Sequence, residues 1–173
     1  MGYFFRKSVA DHNVLPGTWS FKYKRKPDKN TRKFKAQYCV RRDVQKRLYP
    51  EPPNLNSPVV HRAVVRLILI LQCIIGLKSQ SIDFTNAFAQ ADIPSGEPVF
   101  IELPRYFNID RGKFDVVLIL KKTLYIQATA ACLCYEKLRN ALLDRGFVMR
   151  KVDPCLFMSK TVIFVVYVDD CLF

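Results

Sequence analysis

The chain has 173 residues, about the length of one domain, and half of them are hydrophobic, so it can bury a sizeable core. This composition argues against an intrinsically disordered protein. The formal net charge of +13 favours a polyanionic partner, nucleic acid first, over a basic domain that has no such partner.

Basic and aromatic residues alternate near the N-terminus. Residues 19–24 and 33–38 have the period of two that is typical of strands, and residues 27–30 between them have the composition of a turn. We therefore predict a two-stranded antiparallel ribbon with a cationic face. A solvated hairpin without a partner explains the same pattern equally well. The residues expected to bind nucleic acid are Lys22, Lys24, Arg25, Lys26 and Arg41.

Helical and extended patterns alternate in the rest of the chain. The proline-rich residues 48–58 predict a loop, and residues 59–77 predict a helix that ends at Gly76. The apolar part of this helix is too short to span a membrane comfortably and is interrupted by Arg66 and Gln72, so we expect a buried helix. A second helix is predicted for residues 127–145, with Gly146 as its stop. Strands are predicted at residues 79–84, 98–103, 116–120, 155–158 and 161–168.

The cysteines show no pattern of a metal site or of a secreted protein. No CxxC pair and no cysteine–histidine spacing suits zinc, and the first ten residues contain no apolar stretch long enough for a secretory signal. We therefore expect an intracellular protein, cytoplasmic or nuclear, with reduced thiols. The six cysteines are Cys39, Cys73, Cys132, Cys134, Cys155 and Cys171.

Acidic residues interrupt the apolar C-terminal strand pattern. The uncharged residues 161–168 are followed by Asp169 and Asp170 and then by three apolar residues. Two adjacent carboxylates between apolar strands are costly unless cations compensate their charge, and Mg²⁺ prefers such oxygen ligands. Asp83, at the end of another predicted strand, is a third candidate ligand. An ordinary turn for the aspartate pair and a helix cap for Asp83 are the alternatives.

Two segments resemble the catalytic boxes of copia-type retrotransposon reverse transcriptases. They are Tyr167-Val168-Asp169-Asp170, which resembles the YVDD box, and Ile82-Asp83-Phe84-Thr85-Asn86-Ala87-Phe88-Ala89. The resemblance covers roughly residues 16–173. Further matches occur in the expected order at residues 16–19, 34–36, 57–60, 65–67, 120–125 and 153–157.

The resemblance implies an α+β fold of the right-hand polymerase type, whereas the alternation of elements alone leaves α/β and α+β open. It implies an N-terminal extension at residues 1–15, fingers at 16–78, and a palm with an antiparallel sheet and packing helices at 79–173. The implied enzyme is an RNA-directed DNA polymerase within a Pol polyprotein. Its expected partners are an RNA or DNA template-primer and deoxynucleoside triphosphates, with no membrane, and its expected cofactors are two Mg²⁺ ions, with Mn²⁺ as the alternative ion.

The resemblance also implies roles for single residues. Asp83, Asp169 and Asp170 would be the catalytic and metal-binding carboxylates. Phe88 would exclude the 2′-hydroxyl of a ribonucleotide, although plain core packing also explains an aromatic residue there. The residues expected to bind the nucleotide are Lys35, Phe88 and Tyr125.

The chain departs from the family pattern at several supporting positions. An expected arginine is replaced by Gln37, and the expected Gly-Leu-Lys-Gln-Ala-Pro-Arg is replaced by residues 126–132, Ile-Gln-Ala-Thr-Ala-Ala-Cys. Only three residues follow Asp170, so we expect a truncated palm whose last hairpin is unpaired on one side. We expect low solubility and little or no polymerase activity from the chain alone. A basic nucleic-acid-binding module without catalysis, and an inactive fragment whose aspartates only form turns, stay open as alternatives.

Overall fold

The computed structural model describes residues 2–5, 13–25, 32–48, 56–96, 98–105, 116–167 and 170–173, and these form a mixed α+β fold. The chain divides into two compact units. The first contains Met1–Pro53 and Ala89–Ala130, and the second contains Asn54–Phe88 and Ala131–Phe173. Both units are discontinuous along the sequence and do not coincide with residues 16–78 and 79–173, so the assignment of those segments to fingers and palm stays a prediction.

The first unit contains a four-stranded sheet in the order β1-β7-β6-β2. Strands β1 and β7 pair antiparallel, as do β7 and β6, whereas β2 pairs parallel to β6. Leu15, Ile101 and Leu118 from three of these strands form a buried cluster with Val40 and Leu120. The strand bounds are Gly2–Phe5 for β1, Val14–Leu15 for β2, Phe100–Glu102 for β6 and Val116–Ile119 for β7.

The predicted antiparallel ribbon is confirmed. It consists of β3, Gly17–Arg25, and β4, Arg32–Val40, paired without a register shift over nine positions. The predicted turn at residues 27–30 lies outside the described residues. Helix α1, Arg42–Leu48, follows β4 directly and was not predicted from the sequence.

Aromatic side chains attach the base of the ribbon to the rest of the first unit. Trp19 donates its indole N–H to the carbonyl of Arg105 at 3.2 Å, and the Tyr38 hydroxyl donates to the carbonyl of Glu102 at 3.3 Å. Burial and the nearby Glu102 carboxylate both raise the pKa of Tyr38 above its ordinary value. A Cβ atom at Gly17 would clash with the Tyr38 ring, so a larger residue there would displace this anchor.

The second unit contains a five-stranded antiparallel sheet in the order β5-β11-β10-β9-β8. The residues that pack in its core include Val64, Leu142, Phe157 and Val166. Its strands are β5, Ser81–Asp83; β8, Val148–Arg150; β9, Asp153–Met158; β10, Ile163–Tyr167; and β11, Asp170–Leu172.

The expectation that the last hairpin is unpaired on one side is wrong. Strand β11 pairs with β10 on one side and with β5 on the other, so it lies inside the sheet. Gln80 and Phe173 extend this ladder with two reciprocal backbone hydrogen bonds of 2.7 and 3.0 Å. A strand of three residues is enough to form β11 because it pairs with a strand on each side. The edge strands of the sheet are β5 and β8.

Helix α2, Arg62–Ile75, confirms the predicted helix but not its predicted burial. His61 caps the start, its Nδ1 accepting from the Ala63 N–H at 3.3 Å, and Gly76 ends the helix at φ +67°. Ile70 and Ile74 are 55% and 72% exposed, so the expectation of a buried helix is wrong. The helix is amphipathic, with Arg66 on its exposed side and Val64 on its buried side, so it packs through one side only.

Helix α3, Ala130–Asp144, matches the second predicted helix but begins three residues later. Its stop is confirmed, since Gly146 adopts φ +81°. The short strands β1, β2 and β8 were not predicted, because elements of two to four residues show no clear periodicity. No helix in the described part of the chain is long and apolar enough to cross a membrane.

The cysteines carry no disulfide in the described structure. Cys73 is exposed, whereas Cys155 is fully buried. Burial first, and then the charges of Asp153 and Cys171, raise the pKa of Cys155 to about 12. Its thiol therefore stays protonated and unreactive at neutral pH. No three metal-ligating side chains cluster within the described residues.

Candidate active site

Two of the three predicted carboxylate residues occupy directly opposite positions in the second unit. Strands β5 and β11 pair antiparallel, and their register sets Asp83 against Asp170. The next pair along the ladder joins Ile82 to Cys171, which is buried. Side chains alternate between the faces of a sheet. Position 83 therefore lies on the face opposite the buried Cys171, and the Asp83 side chain is exposed.

Some predicted site residues cannot be compared with the structure. Asp169 and Lys26 lie outside the described residues, and only the backbones of Asp170 and Lys24 are described. Tyr167 and Asp170 are cross-strand partners at the end of the β10–β11 pairing.

The segment after Asp83 reverses the chain within a few residues. The Ala87 N–H donates to the Phe84 carbonyl at 3.2 Å, and Asn86 adopts φ +53°, which asparagine tolerates better than most residues. The short 3-10 helix Ala87–Ala89 follows and carries Phe88, which is half-buried. The Cys134 thiol on α3 contacts the Ala87 carbonyl at 3.4 Å, and this contact holds the 3-10 helix against α3.

Lys35 and Tyr125, both predicted to bind the nucleotide, lie together in the first unit. The Lys35 ammonium is 5.8 Å from the centre of the Tyr125 ring, within the range of a cation–π contact. The backbone fixes this arrangement, because the Val40 N–H donates to the Tyr125 carbonyl at 3.3 Å and Cys39 bridges to Tyr125. Phe88 belongs to the second unit.

Gln37 is a site feature that the sequence did not reveal. Its amide nitrogen is buried and has no hydrogen-bond partner among the described residues. A buried donor without a partner is unfavourable, and it can be satisfied by an acceptor on a ligand. Gln37 follows Lys35 by two residues on the same face of β4, so both side chains can supply donors on that face. In the sequence, Gln37 was notable only because it replaces an arginine that the family resemblance implies.

The basic residues of the ribbon lie in cross-strand pairs. Lys22 is opposite Lys35, on the face that also carries Cys39. Burial raises the pKa of the Cys39 thiol, and Lys22 and Lys35 partly oppose that rise, as expected for cations near the thiol. Arg41 differs from the ribbon lysines because it forms an ion pair with Asp43 at 2.7 Å, with both side chains about half exposed.

Ile126 has an unfavourable backbone conformation next to Tyr125. Its φ is +68°, in the left-handed region, and 56% of the residue is exposed. This region costs an L-residue about 1–2 kcal/mol, and glycine avoids that cost. The family resemblance implies a glycine at this position. Ile126 thus occupies a left-handed turn to which glycine is better suited.

We expect Ile126→Gly to stabilise the protein by about 1 kcal/mol, because relief of the left-handed strain exceeds the extra entropy that glycine gives the unfolded chain. The matched control is Val152→Gly, at an 84% exposed β-branched residue whose φ is not positive. That change should destabilise by about 0.5–1 kcal/mol. Urea unfolding of both variants measures the two effects, and the same sign for both would contradict the strained conformation.

Sequence comparison decides the family. A family model described as reverse transcriptase (RNA-dependent DNA polymerase) matches residues 3–173. The chain belongs to this reverse transcriptase family. No solved structure matches this reverse transcriptase chain.

Three curated relatives of the reverse transcriptase chain are Pol polyproteins of plant transposons. It is 29% identical over 159 residues to the retrovirus-related Pol polyprotein from transposon TNT 1-94 of Nicotiana tabacum, covering 89% of the chain and 12% of that protein. It is 30% identical over 163 residues to the one from transposon RE1 of Arabidopsis thaliana, covering 89% of the chain and 10% of that protein. The chain thus spans about a tenth of the length of these relatives. The prediction of a copia-type reverse transcriptase is confirmed.

Proposed function

We propose that the chain carries the polymerase site of an RNA-directed DNA polymerase, in which Asp83, Asp169 and Asp170 hold two Mg²⁺ ions, with Mn²⁺ as the alternative ion. The register of β5 and β11, with Asp83 opposite Asp170, carries this proposal. Opposite residues in an antiparallel pair have Cβ atoms about 4.5–5.5 Å apart. This spacing suits two carboxylates that share a cation.

The chemistry of this acidic pair fits a divalent cation. Like charges directly opposite one another destabilise a sheet, so an acidic pair in the ladder needs a compensating charge. Carboxylate oxygens are the ligands that Mg²⁺ prefers. Asp83 is exposed on its face of the sheet, so an ion and a substrate can reach it. The family as a whole is generally dependent on divalent metals, which supports the same assignment.

The proposed reaction is attack of a primer 3′-hydroxyl on a deoxynucleoside triphosphate. Bound metal would lower the pKa of that hydroxyl and neutralise charge on the leaving pyrophosphate. The residues of this chain hold and orient the reactants. Asp83 is positioned by the β5–β11 ladder and by the turn that follows it. Positioning of this kind supplies a large part of the catalysis in such reactions.

On the nucleotide side, we assign Lys35 and Tyr125 to the triphosphate and Phe88 to the sugar. The cation–π contact restrains Lys35, and the Gln37 amide nitrogen, which has no partner among the described residues, adds a donor on the same strand face. Phe88 would exclude a 2′-hydroxyl because a half-buried ring on an anchored 3-10 helix does not move aside easily.

We assign the first unit's ribbon to the fingers and the five-stranded sheet to the palm. Template-primer, RNA or DNA, would contact the ribbon through its cations, and the rest of a Pol polyprotein would accompany the chain. The intracellular setting stays a prediction. The cations assigned to nucleic acid are Lys22, Lys24, Arg25, Lys26 and Arg41.

A basic nucleic-acid-binding module without catalysis is the second candidate function. The ribbon register favours it, because Lys22 opposes Lys35, Lys24 opposes Lys33 and Arg25 opposes Arg32. Like-charged pairs at such positions destabilise a free ribbon, and a polyanion would relieve their repulsion. This function needs none of the three carboxylates.

Manganese binding followed by electron paramagnetic resonance separates the two candidates. Asp83→Asn and Asp170→Asn should each weaken Mn²⁺ binding by at least about 10–100-fold, because loss of a ligand costs no less than loss of a residue that supports one. Asp144→Asn, which removes the same charge from an exposed position at the end of α3, should leave binding unchanged. Equal Mn²⁺ affinity in all three variants would reject the polymerase site and leave the basic module.

A further inference from the structure

The β3–β4 ribbon has two chemically different faces. Residues directly opposite one another share a face, so Lys22 and Lys35 lie on one side with Lys24 and Lys33. The other side carries the aromatic residues together with the pair of Arg25 and Arg32. This second side is called the aromatic face here, and its aromatic members are Trp19, Phe21, Tyr23, Phe34 and Tyr38.

The outer half of the aromatic face is open to solvent. Phe21 is 74% exposed and Phe34 is 80% exposed, which is unusual for phenylalanine. Tyr23 packs on Phe34 edge to face, with ring centres 5.2 Å apart. Phe21 stacks on Trp19 at 6.0 Å with an interplanar angle of 19°. The exposed rings thus form a supported row along the ribbon.

The base and the outer half of the aromatic face make different contacts. At the base, Trp19 and Tyr38 contact each other at 5.3 Å and donate hydrogen bonds to the main chain of the first unit, so they anchor the ribbon. In the outer half, Phe21 and Phe34 remain mostly exposed instead of packing against a core. Their exposure leaves two large ring faces free for a partner.

The charge of the ribbon decides which partner fits. The two strands contain six Lys and Arg residues and no Asp or Glu, so an apolar protein surface would satisfy the rings but leave this charge uncompensated. A duplex would satisfy the charge, but its bases are stacked inside and offer no ring faces. Single-stranded nucleic acid offers both phosphates and unstacked bases.

We propose that the aromatic face binds unpaired bases of single-stranded nucleic acid, which stack on Phe21, Tyr23 and Phe34. Arg25 lies on the same face, at its outer end, and can contact a phosphate there. The lysines of the opposite face lie within about a Debye length and attract the strand without direct contact. The proposal rests on the proposed nucleic-acid binding by the ribbon, and it adds a second face and a preference for single strands. It does not depend on the metal site.

The test measures binding of the intact chain to oligothymidylate and to a duplex of equal length, by fluorescence anisotropy at several salt concentrations. Phe21→Thr and Phe34→Thr keep strand propensity and remove a ring from exposed positions. Each should weaken single-strand binding roughly five- to tenfold with an unchanged salt dependence, and leave duplex binding unchanged. Phe34→Tyr keeps the ring and should bind within about twofold of the parent.

The lysine face supplies the contrasting variants. Lys22→Gln and Lys35→Gln should weaken binding of both oligonucleotides and lower the salt slope by about 0.7 for each charge removed on single strands. Trp19 is the single tryptophan of the chain and lies in the ring row, so its fluorescence should be quenched by the single strand. Quenching by the duplex alone would contradict the proposal.

Two further outcomes overturn the proposal. In the first, the Phe→Thr changes abolish self-association in sedimentation and leave single-strand affinity unchanged, so that a second copy occupies the face. In the second, they weaken single-strand and duplex binding equally. Asp83→Asn should retain single-strand affinity. If the chain binds no Mn²⁺ but its aromatic face still binds oligothymidylate, the polymerase site is rejected and this inference stands.

Discussion

Asp83→Asn should stabilise the metal-free protein and remove at least about half of the stabilisation that Mg²⁺ provides. In the absence of metal, the register leaves two acidic residues directly opposite each other, and removing one charge should raise stability by about 0.2–1 kcal/mol. At a Mg²⁺ concentration one hundred times the dissociation constant, the parent chain should gain about 2.7 kcal/mol. With metal binding weakened about 10–100-fold, the variant should gain only about 0.4–1.4 kcal/mol at the same concentration.

Thermal unfolding in EDTA and in Mg²⁺ measures both effects. The opposite signs distinguish a metal site from turn aspartates, since a turn residue would respond equally in both conditions. Asp144→Asn is the charge-matched control and should shift stability by less than about 0.5 kcal/mol in either condition. An equal Mg²⁺-induced shift in the parent chain and in Asp83→Asn would show that the acidic pair binds no cation.

Asp153→Ala should destabilise the second unit by about 2–4 kcal/mol. Asp153 is 3% exposed, and its carboxylate accepts from the His61 N–H at 2.7 Å and from the Cys155 N–H at 2.8 Å. It thus joins the cap of α2 to β9. Its removal leaves two main-chain donors without their charged acceptor, and each such loss costs about 1–3 kcal/mol. This cost is a large fraction of the stability of a typical domain.

The isosteric change sharpens that experiment. Asp153→Asn retains one carbonyl oxygen as an acceptor but presents an amino group to the other donor, so it should lose about half as much stability as the alanine variant. Urea unfolding with an unchanged slope gives both values. Equal stability of the parent chain and Asp153→Ala would contradict the structural role of this carboxylate. In the sequence, Asp153 was notable only as part of residues 153–157, which match the family pattern. Its role as a hydrogen-bond acceptor between α2 and β9 was not visible there.

Local patterns in the sequence predicted elements whose signals are local. The ribbon was predicted because its aromatic and basic residues alternate with a period of two, and the ends of α2 and α3 because Gly76 and Gly146 suit a left-handed turn. The exposure of α2 was missed because its high apolar content suggested full burial, although Arg62 and Arg66 mark one polar side of the helix. Strand β11 was misjudged because its stability comes from two neighbours and not from its own length.

The sequence by itself determined the chemical types of the candidate site: three acidic residues, a lysine, two aromatic residues and a cationic ribbon. It also determined the family. Only the tertiary structure decided that Asp83 lies opposite Asp170, that Lys35 lies against Tyr125, and that the rings of both ribbon strands share one face. The physical reason is that side-chain chemistry belongs to single residues. Strand partners and register depend on pairings between residues far apart in the chain.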